Sequence, residues 1–329
     1  MYDVMLDEAN LWFQEPPLRK RKLEPPSPVE EEEQEEEAYS SDEDMDPVER
    51  EKYRLQVVES CGFDVDFFNH IFNGIVPSGC TQYDTLFAKA GLHCHNLEKG
   101  KKLQLKRVVK VNAEISSLYN SYSTSEVIDP VDNSLHIFQT LVNDAGKEKK
   151  ASLKLLTKIC RIKPQVPGSF YILYCCINQL YMSKLYYSSF MCIGLGDATV
   201  FWDFKAIDDF YKTDMPDWPF NDGFDNPHLY KVKESELLDN EWLYLYAEAA
   251  LFSEWRSEMS DYTPFEMKKV MVQTKEDVES SMKLKSRNAI FYMIFKVRGG
   301  PWCRGIVRKT SDGRTGHLCL EARCWIDDK

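Results

Sequence analysis

Between residues 81 and 98 the apolar side chains Tyr83, Phe87, Ala90, Cys94 and Leu97 recur at spacings of four, three, four and three. That is one stripe of a helix. Thr81 can cap its N-terminus with Asp84 as box partner, and Gly100 stops it among Lys99, Lys101 and Lys102. Gly91, inside this helix, costs about 1 kcal/mol against alanine and marks close packing on a sheet. The period then changes. Residues 103–115, 118–128, 134–143 and 151–162 read as strands, divided by turn chemistry at Asp129-Pro130-Val131-Asp132-Asn133 and Asn143-Asp144-Ala145-Gly146.

The same order recurs downstream. Asn240 can cap a helix over NEWLYLYAEAALFSEW, with Leu243, Ala247, Ala250 and Leu251 on one face. Strand-like runs follow at 265–278, 289–298, 302–310 and 317–326, the last after a Ser311-Asp312-Gly313-Arg314 turn. Laying Leu103 on Phe265 matches Leu105 with Met267, Arg107 with Lys269, and Val108-Val109 with Val270-Met271. Helix-then-strands twice predicts an α+β fold of two tandem units, each a helix packed on an antiparallel sheet. Residues 53–164 form the first unit and 230–329 the second, with 165–229 an irregular linker or insertion whose apolar content must pack somewhere.

Composition separates residues 1–52 from the rest. They hold eighteen Asp and Glu against six Lys and Arg, which accounts for the whole net charge of −12 and leaves residues 53–329 neutral. Prolines, a dense acidic run and few bulky apolar groups predict a disordered tail. Within it, Arg19-Lys20-Arg21-Lys22 reads as a short nuclear-import cluster. Ser27 in Pro-Ser-Pro suits a proline-directed kinase, and Ser40 and Ser41, before Asp42-Glu43-Asp44, suit an acidophilic one. The expected location is therefore nuclear, with the cytoplasm as alternative. Neutrality of the remainder argues against nucleic acid as a partner, although Lys99, Lys101, Lys102, Lys106, Arg107 and Lys110 form a local basic run.

Candidate chemistry is sparse. The ten cysteines are scattered, without a CxxC pair, and the acidic start is unlike a secretory signal, so reduced intracellular thiols are expected. His93 and His95 point about 200° apart on a helix and cannot share a metal with Cys80 or Cys94. Residues 169–195 have a membrane-spanning length but carry Asn178, Gln179 and Lys184 near the middle, so no membrane span is expected. There is no Walker loop, HExxH or GxSxG, and Gly194-Leu195-Gly196-Asp197 is too short for a phosphate loop. His70, His136, His228 and His317 read as core or surface residues, and Cys303 with His317, across a hairpin, is the pair a catalytic reading would use. No catalytic, cofactor or metal residues and no small-molecule substrate are assigned.

Residues 103–110, LQLKRVVK, resemble the first long strand of the plant cystatins, the inhibitors of papain-type proteases. In those inhibitors a Gln-x-Val-x-Gly hairpin follows. Here Glu114-Ile115-Ser116-Ser117-Leu118 stands in its place: a charge that would have to be desolvated, Ser116 for the central valine, and a bulky Leu118 at the glycine. Pro301-Trp302 resembles the second inhibitory wedge but falls one hairpin too early. Longer strings, among them CGFDVDF (61–67), YDTLFAKAGLHCHNLEKGKKLQL (83–105), YKVKESELLDNEWLYLYAEAALFS (230–253) and CRGIVRKTSDGRTGHLCLEA (303–322), resemble the crucifer-plant male-sterility-five family, a domain of unknown function numbered 626. The resemblance implies a duplicated cystatin-like architecture and a nuclear role in male meiosis and pollen development. Together these readings predict a non-enzymatic protein that binds protein partners, with cystatin-type protease inhibition as the alternative.

Overall fold

A computed structural model describes residues 45–68, 74–115, 119–146, 153–164, 201–219, 229–255 and 264–326. The import cluster Arg19–Lys22, Ser27, Ser40, Ser41, His70, His228 and residues 169–195 lie outside the described residues. Helix α1 (Pro47–Ser60) starts on Asp46, whose carboxylate accepts from the backbone N–H groups of Val48 and Glu49. Strand β1 (Ile75–Ser78) precedes helix α2 (Gln82–Lys99), which has the Thr81/Asp84 capping box and a left-handed Gly100 at its end. Four strands follow: β2 (Gln104–Ile115), β3 (Tyr119–Asp129), β4 (Ser134–Asp144) and β5 (Leu153–Ile162).

The second half repeats that order. Strand β6 (Leu229–Lys231) and a short helix α3 (Glu234–Asp239) lead to helix α4 (Trp242–Glu254). Strand β7 (Glu266–Gln273), a single turn α5 (Ser280–Lys283), and strands β8 (Ala289–Lys296), β9 (Trp302–Thr310) and β10 (Cys319–Ile326) complete it. Asn240 does not cap α4 with its side chain as expected. Its amide nitrogen donates to the Glu236 carbonyl and its amide oxygen accepts from the Trp242 indole, because the separate turn α3 ends there.

All ten strands form one antiparallel sheet in the order β1-β2-β3-β4-β5-β10-β9-β8-β7-β6. The seam joins β5 to β10, with Leu155 opposite Leu320 and Lys154 opposite Glu321. The pairing registers are interrupted between Leu105 and Arg107 in β2 and between Met267 and Lys269 in β7, and β2 has a further shift between Val108 and Lys110 that β7 lacks. The extra residues, Lys106 and Lys268, coincide when Leu103 is laid on Phe265. A bulge is a specific backbone irregularity, so its recurrence at matched positions is stronger support for an internal repeat than side-chain similarity.

Alternation divides the sheet's side chains between two faces. On one face α2 and α4 lie side by side over a single apolar cluster that draws residues from both halves. Each helix therefore buries two flanks, one on the sheet and one on its neighbour. In α2 this buries Leu86, Ala88, Leu92 and His93 in addition to Phe87, Ala90 and Cys94 of the stripe, while Leu97 is left exposed. Tyr83 meets Phe252 edge to face at 4.6 Å, and Lys89 pairs with Glu248 at 2.8 Å. Gly91 packs as closely as expected: a Cβ there would lie 2.5 Å from Thr140 Cγ2.

The opposite face is covered by two unlike segments. Helix α1 and residues 61–68 cover the first half, burying Val57, Phe63 and Val65 against Tyr122 and Leu141. On the second half, residues 201–218, part of the expected linker, lay Ile207 and Tyr211 on Met271, Ile290, Tyr292 and Ile306. The apolar side chains of residues 201–218 thus form the third layer of the fold there. Among the described residues no helix is long and apolar enough to cross a membrane.

Candidate functional site

The end of the β2–β3 hairpin, where a cystatin carries its inhibitory loop, is the first place to look. Glu114 pairs with Ile75 in the sheet, and its carboxylate accepts from Asn120 Nδ2 at 3.1 Å and Tyr122 Oη at 3.3 Å. Ile115 ends β2 opposite Tyr119. Ser116, Ser117 and Leu118 lie outside the described residues. Glu114 is thereby held as part of the sheet by neutral donors.

Three polar clusters sit in the core. Asp84 accepts from Thr81 Oγ1 at 2.7 Å, Ser121 Oγ at 2.8 Å and Tyr119 Oη at 3.2 Å, tying α2 to β3. Between α2 and α4, His93 Nε2 and Tyr246 Oη are 3.1 Å apart, and the His93 ring stacks on Trp242. Lys309, only 1% exposed, brings its ammonium within 6 Å of the Trp242 and Phe291 ring centres. Burial pushes Lys309 down to about 8, and burial together with Lys309 pushes His93 down to about 3. Both groups therefore resist protonation in the fold.

The third cluster lies at the β9–β10 turn. His317 Nδ1 is 2.9 Å from Asp312 Oδ2, and the Trp202 indole stacks on the imidazole at 4.9 Å. Asp312 also accepts from the backbone N–H groups of Asp203 and Arg314. Burial opposes its ionised form, but these donors and His317 together hold its carboxyl below the usual range. The group pins segment 201–204 to the turn. Of the core and surface readings open to His317, the structure takes the core one, at 1% exposure. His317 and Cys303 cannot meet, since Cys303 pairs with Ile326 at one end of the hairpin and Thr310 with Cys319 at the other, beside His317. Seven rungs at about 3.3 Å each separate them. No group of three metal-binding side chains occurs among the described residues, and the described cysteines are free thiols.

Four of the six cations in the local basic run form ion pairs where they lie. Lys101 pairs with Asp129, Lys106 and Arg107 with Glu126, and Lys110 with Asp64.

A different arrangement occupies the end of the second half's sheet, at the margin of the cover of residues 201–218. Cross-strand pairs put Lys269, Ile294, Arg304 and Trp325 in one row and Lys296 with Trp302 in the next. Alternation places both rows on the face of Met271, Tyr292 and Ile306. Lys268 and Lys296 lie over the Trp302 ring at 4.9 and 5.8 Å, Arg304 over Trp218 at 5.8 Å, and Arg323 over Trp325 at 5.1 Å. Beside them an open recess of about 530 Å³ is lined by Leu229, Lys231, Lys268, Lys269 and Met271. Sequence reasoning missed this surface. Its signal was Trp302-x-Arg304 and Arg323-x-Trp325 at the ends of two strands, with Lys268-Lys269 and Lys296 on two others, which becomes a patch only once strand order is known.

The family model described as protein MS5 matches residues 215–320. The UPF0725 protein At4g29550 of Arabidopsis thaliana is 35% identical over 302 residues, covering 86% of this chain and 77% of that one. A second Arabidopsis thaliana protein, UPF0725 protein At4g28920, is 37% identical, with 87% and 92% covered. The crystal structure of MS5 from Brassica napus superposes with a TM-score of 0.52 at 24% identity, over 76% of this chain and all of that one, and shares the fold. With relatives this similar along most of their length, the chain belongs to the plant MS5 family of UPF0725 proteins.

Proposed function

We propose that the chain is a non-enzymatic protein that presents sheet surfaces to protein partners, on a scaffold of two cystatin-like units, with a nuclear role in male meiosis taken from its family. The carrying observation is where the reactive groups lie. The core's Asp84, His93, Lys309 and His317 are sealed and engaged with the fold, whereas the cation-rich, tryptophan-bearing sheet end opens to solvent beside a recess. Strand–helix–four strands, twice, with a bulge at the same place in each copy, supports the cystatin-like duplication. Glu114, engaged by Asn120 and Tyr122, supports a scaffold without the inhibitory wedge.

The test is recovery of partners from anthers expressing the tagged full chain, alongside imaging of its location. Stable partners and nuclear signal are expected, with nuclear signal lost when Arg19–Lys22 are replaced by alanine. Unchanged localisation would remove the import role, and absence of any stable partner would remove the binding role. Papain assayed with micromolar protein should keep its activity; clear competitive inhibition would overturn the reading in favour of a protease inhibitor.

A further inference from the structure

We infer that the sheet face at the cation-rich ends of strands β7–β10 recognises an acidic segment of a partner protein through side-chain charge. This rests on the protein-binding reading and names its surface and partner chemistry. The carrying observation is a difference between the two halves when Leu103 is laid on Phe265. In the first half Lys106 and Arg107 both pair with Glu126, which stands opposite Arg107 on β3. In the second half Lys268 and Lys269 take those places, and the residue opposite Lys269 is Ile294. Two residues further along, Ile128 opposite Leu135 is matched by Lys296 opposite Trp302. The second half therefore lacks the neutralising carboxylate and carries a further cation on the same face.

Charge selects the occupant. Among the described residues no carboxylate pairs with Lys231, Lys268, Lys296 or Arg323. Glu266, opposite Lys296, leaves these cations in excess. Lys268 and Lys296 lie over Trp302, and Arg323 over Trp325. An ammonium or guanidinium on a ring keeps N–H donors for a carboxylate. The bulge and its lysines shield the β7 edge from an added strand, so recognition comes from the face. Four strands spread Lys268, Lys296 and Arg323 over about 14 Å, a span for several carboxylates along a chain rather than one small anion. The recess beside them, with Leu229 and Met271 in its wall, takes an apolar side chain of the same segment. Single-stranded nucleic acid binds by stacking bases on open aromatic faces, whereas Trp302 and Trp325 already carry the protein's own cations.

The experiment is fluorescence anisotropy of the full-length chain with a labelled twelve-residue peptide of Glu and Ser around one central Leu, a lysine-for-glutamate version, and a twelve-nucleotide RNA. The acidic peptide should bind, and the basic one should not. Ile294→Glu, which places a carboxylate where the first half has Glu126, should weaken binding about tenfold or more, as should raised salt and Lys268→Glu/Lys296→Glu. Lys101→Glu/Lys106→Glu, on the other half, should leave affinity unchanged. Thermal melts confirm that each variant is folded, and Lys268→Glu/Lys296→Glu, at the surface, carries the test if Ile294→Glu does not fold. Tighter binding of the RNA, or affinity indifferent to Lys268→Glu/Lys296→Glu, would overturn the inference. If anther partners bind the Lys268→Glu/Lys296→Glu protein as they bind the wild type, this site fails while the broader reading stands.

Discussion

Single buried residues carry much of what can be tested in this chain. Lys309 is held with its pKa down to about 8 against 10.5 because burial penalises the ammonium. Across that interval the unfolded chain binds more protons, so stability rises with pH from about 8 to 10.5, and at pH 7 the penalty is present in full, about 3 kcal/mol. His93, down to about 3 from 6.5, acts in the same direction: stability falls as pH drops from 6.5 toward 3. Lys309→Met should therefore stabilise the protein at pH 7 by about 1–3 kcal/mol, reduced by the lost cation–aromatic contacts. Urea melts at pH 7 and 10 check this: the gain should shrink at the higher pH, and a destabilised variant would contradict it. Sequence alone placed Lys309 in an ordinary strand. Its burial comes from α4, which lies far from it in sequence.

At the scale of elements, the fold depends on close approaches that need glycine. A Cβ on Gly305 of β9 would stand 2.7 Å from Ala250 Cβ on α4 and 3.2 Å from the Phe295 ring. Neither neighbour is a flexible side-chain end. Gly305→Val should cost about 1–3 kcal/mol by overpacking, and Ala250→Gly should recover part of it. Additive losses in the double mutant would show that the two positions do not touch. The helices and strands themselves were legible, since their periods, caps and turns are local. The Thr81/Asp84 box and the strands at 134–144 and 302–310 follow from residues a few positions apart. The reading of α4 was less successful at its start. Asn240 has the right chemistry for a cap, and only the preceding turn α3 redirects its side chain.

On the scale of the whole molecule, the two halves share one sheet and one apolar cluster, joined at β5–β10 and at the α2–α4 contact. Unfolding should therefore be a single cooperative transition, with Trp fluorescence and far-ultraviolet circular dichroism coinciding in urea. Residues 53–164 made alone should lose cooperative unfolding, because the seam strand and the α2 flank would be exposed; an isolated half with its own sharp melt would refute this. The candidate surface belongs to this scale as well. Lys268, Lys296, Trp302 and Trp325 come from four separate strands and were not legible as a group, because pairing order and register decide which side chains share a face. By itself the sequence determined the local periods, the repeat of helix and strands, the confinement of net charge to residues 1–52 and the family resemblance, all of which depend on neighbours along the chain. Tertiary structure alone decided that the two halves join into one sheet, that residues 201–218 cover its second half, that Lys309 and His317 are buried, and that cations and tryptophans converge at one end. Those outcomes depend on which distant segments compete for the same apolar face, and spacing along the chain does not encode that directly.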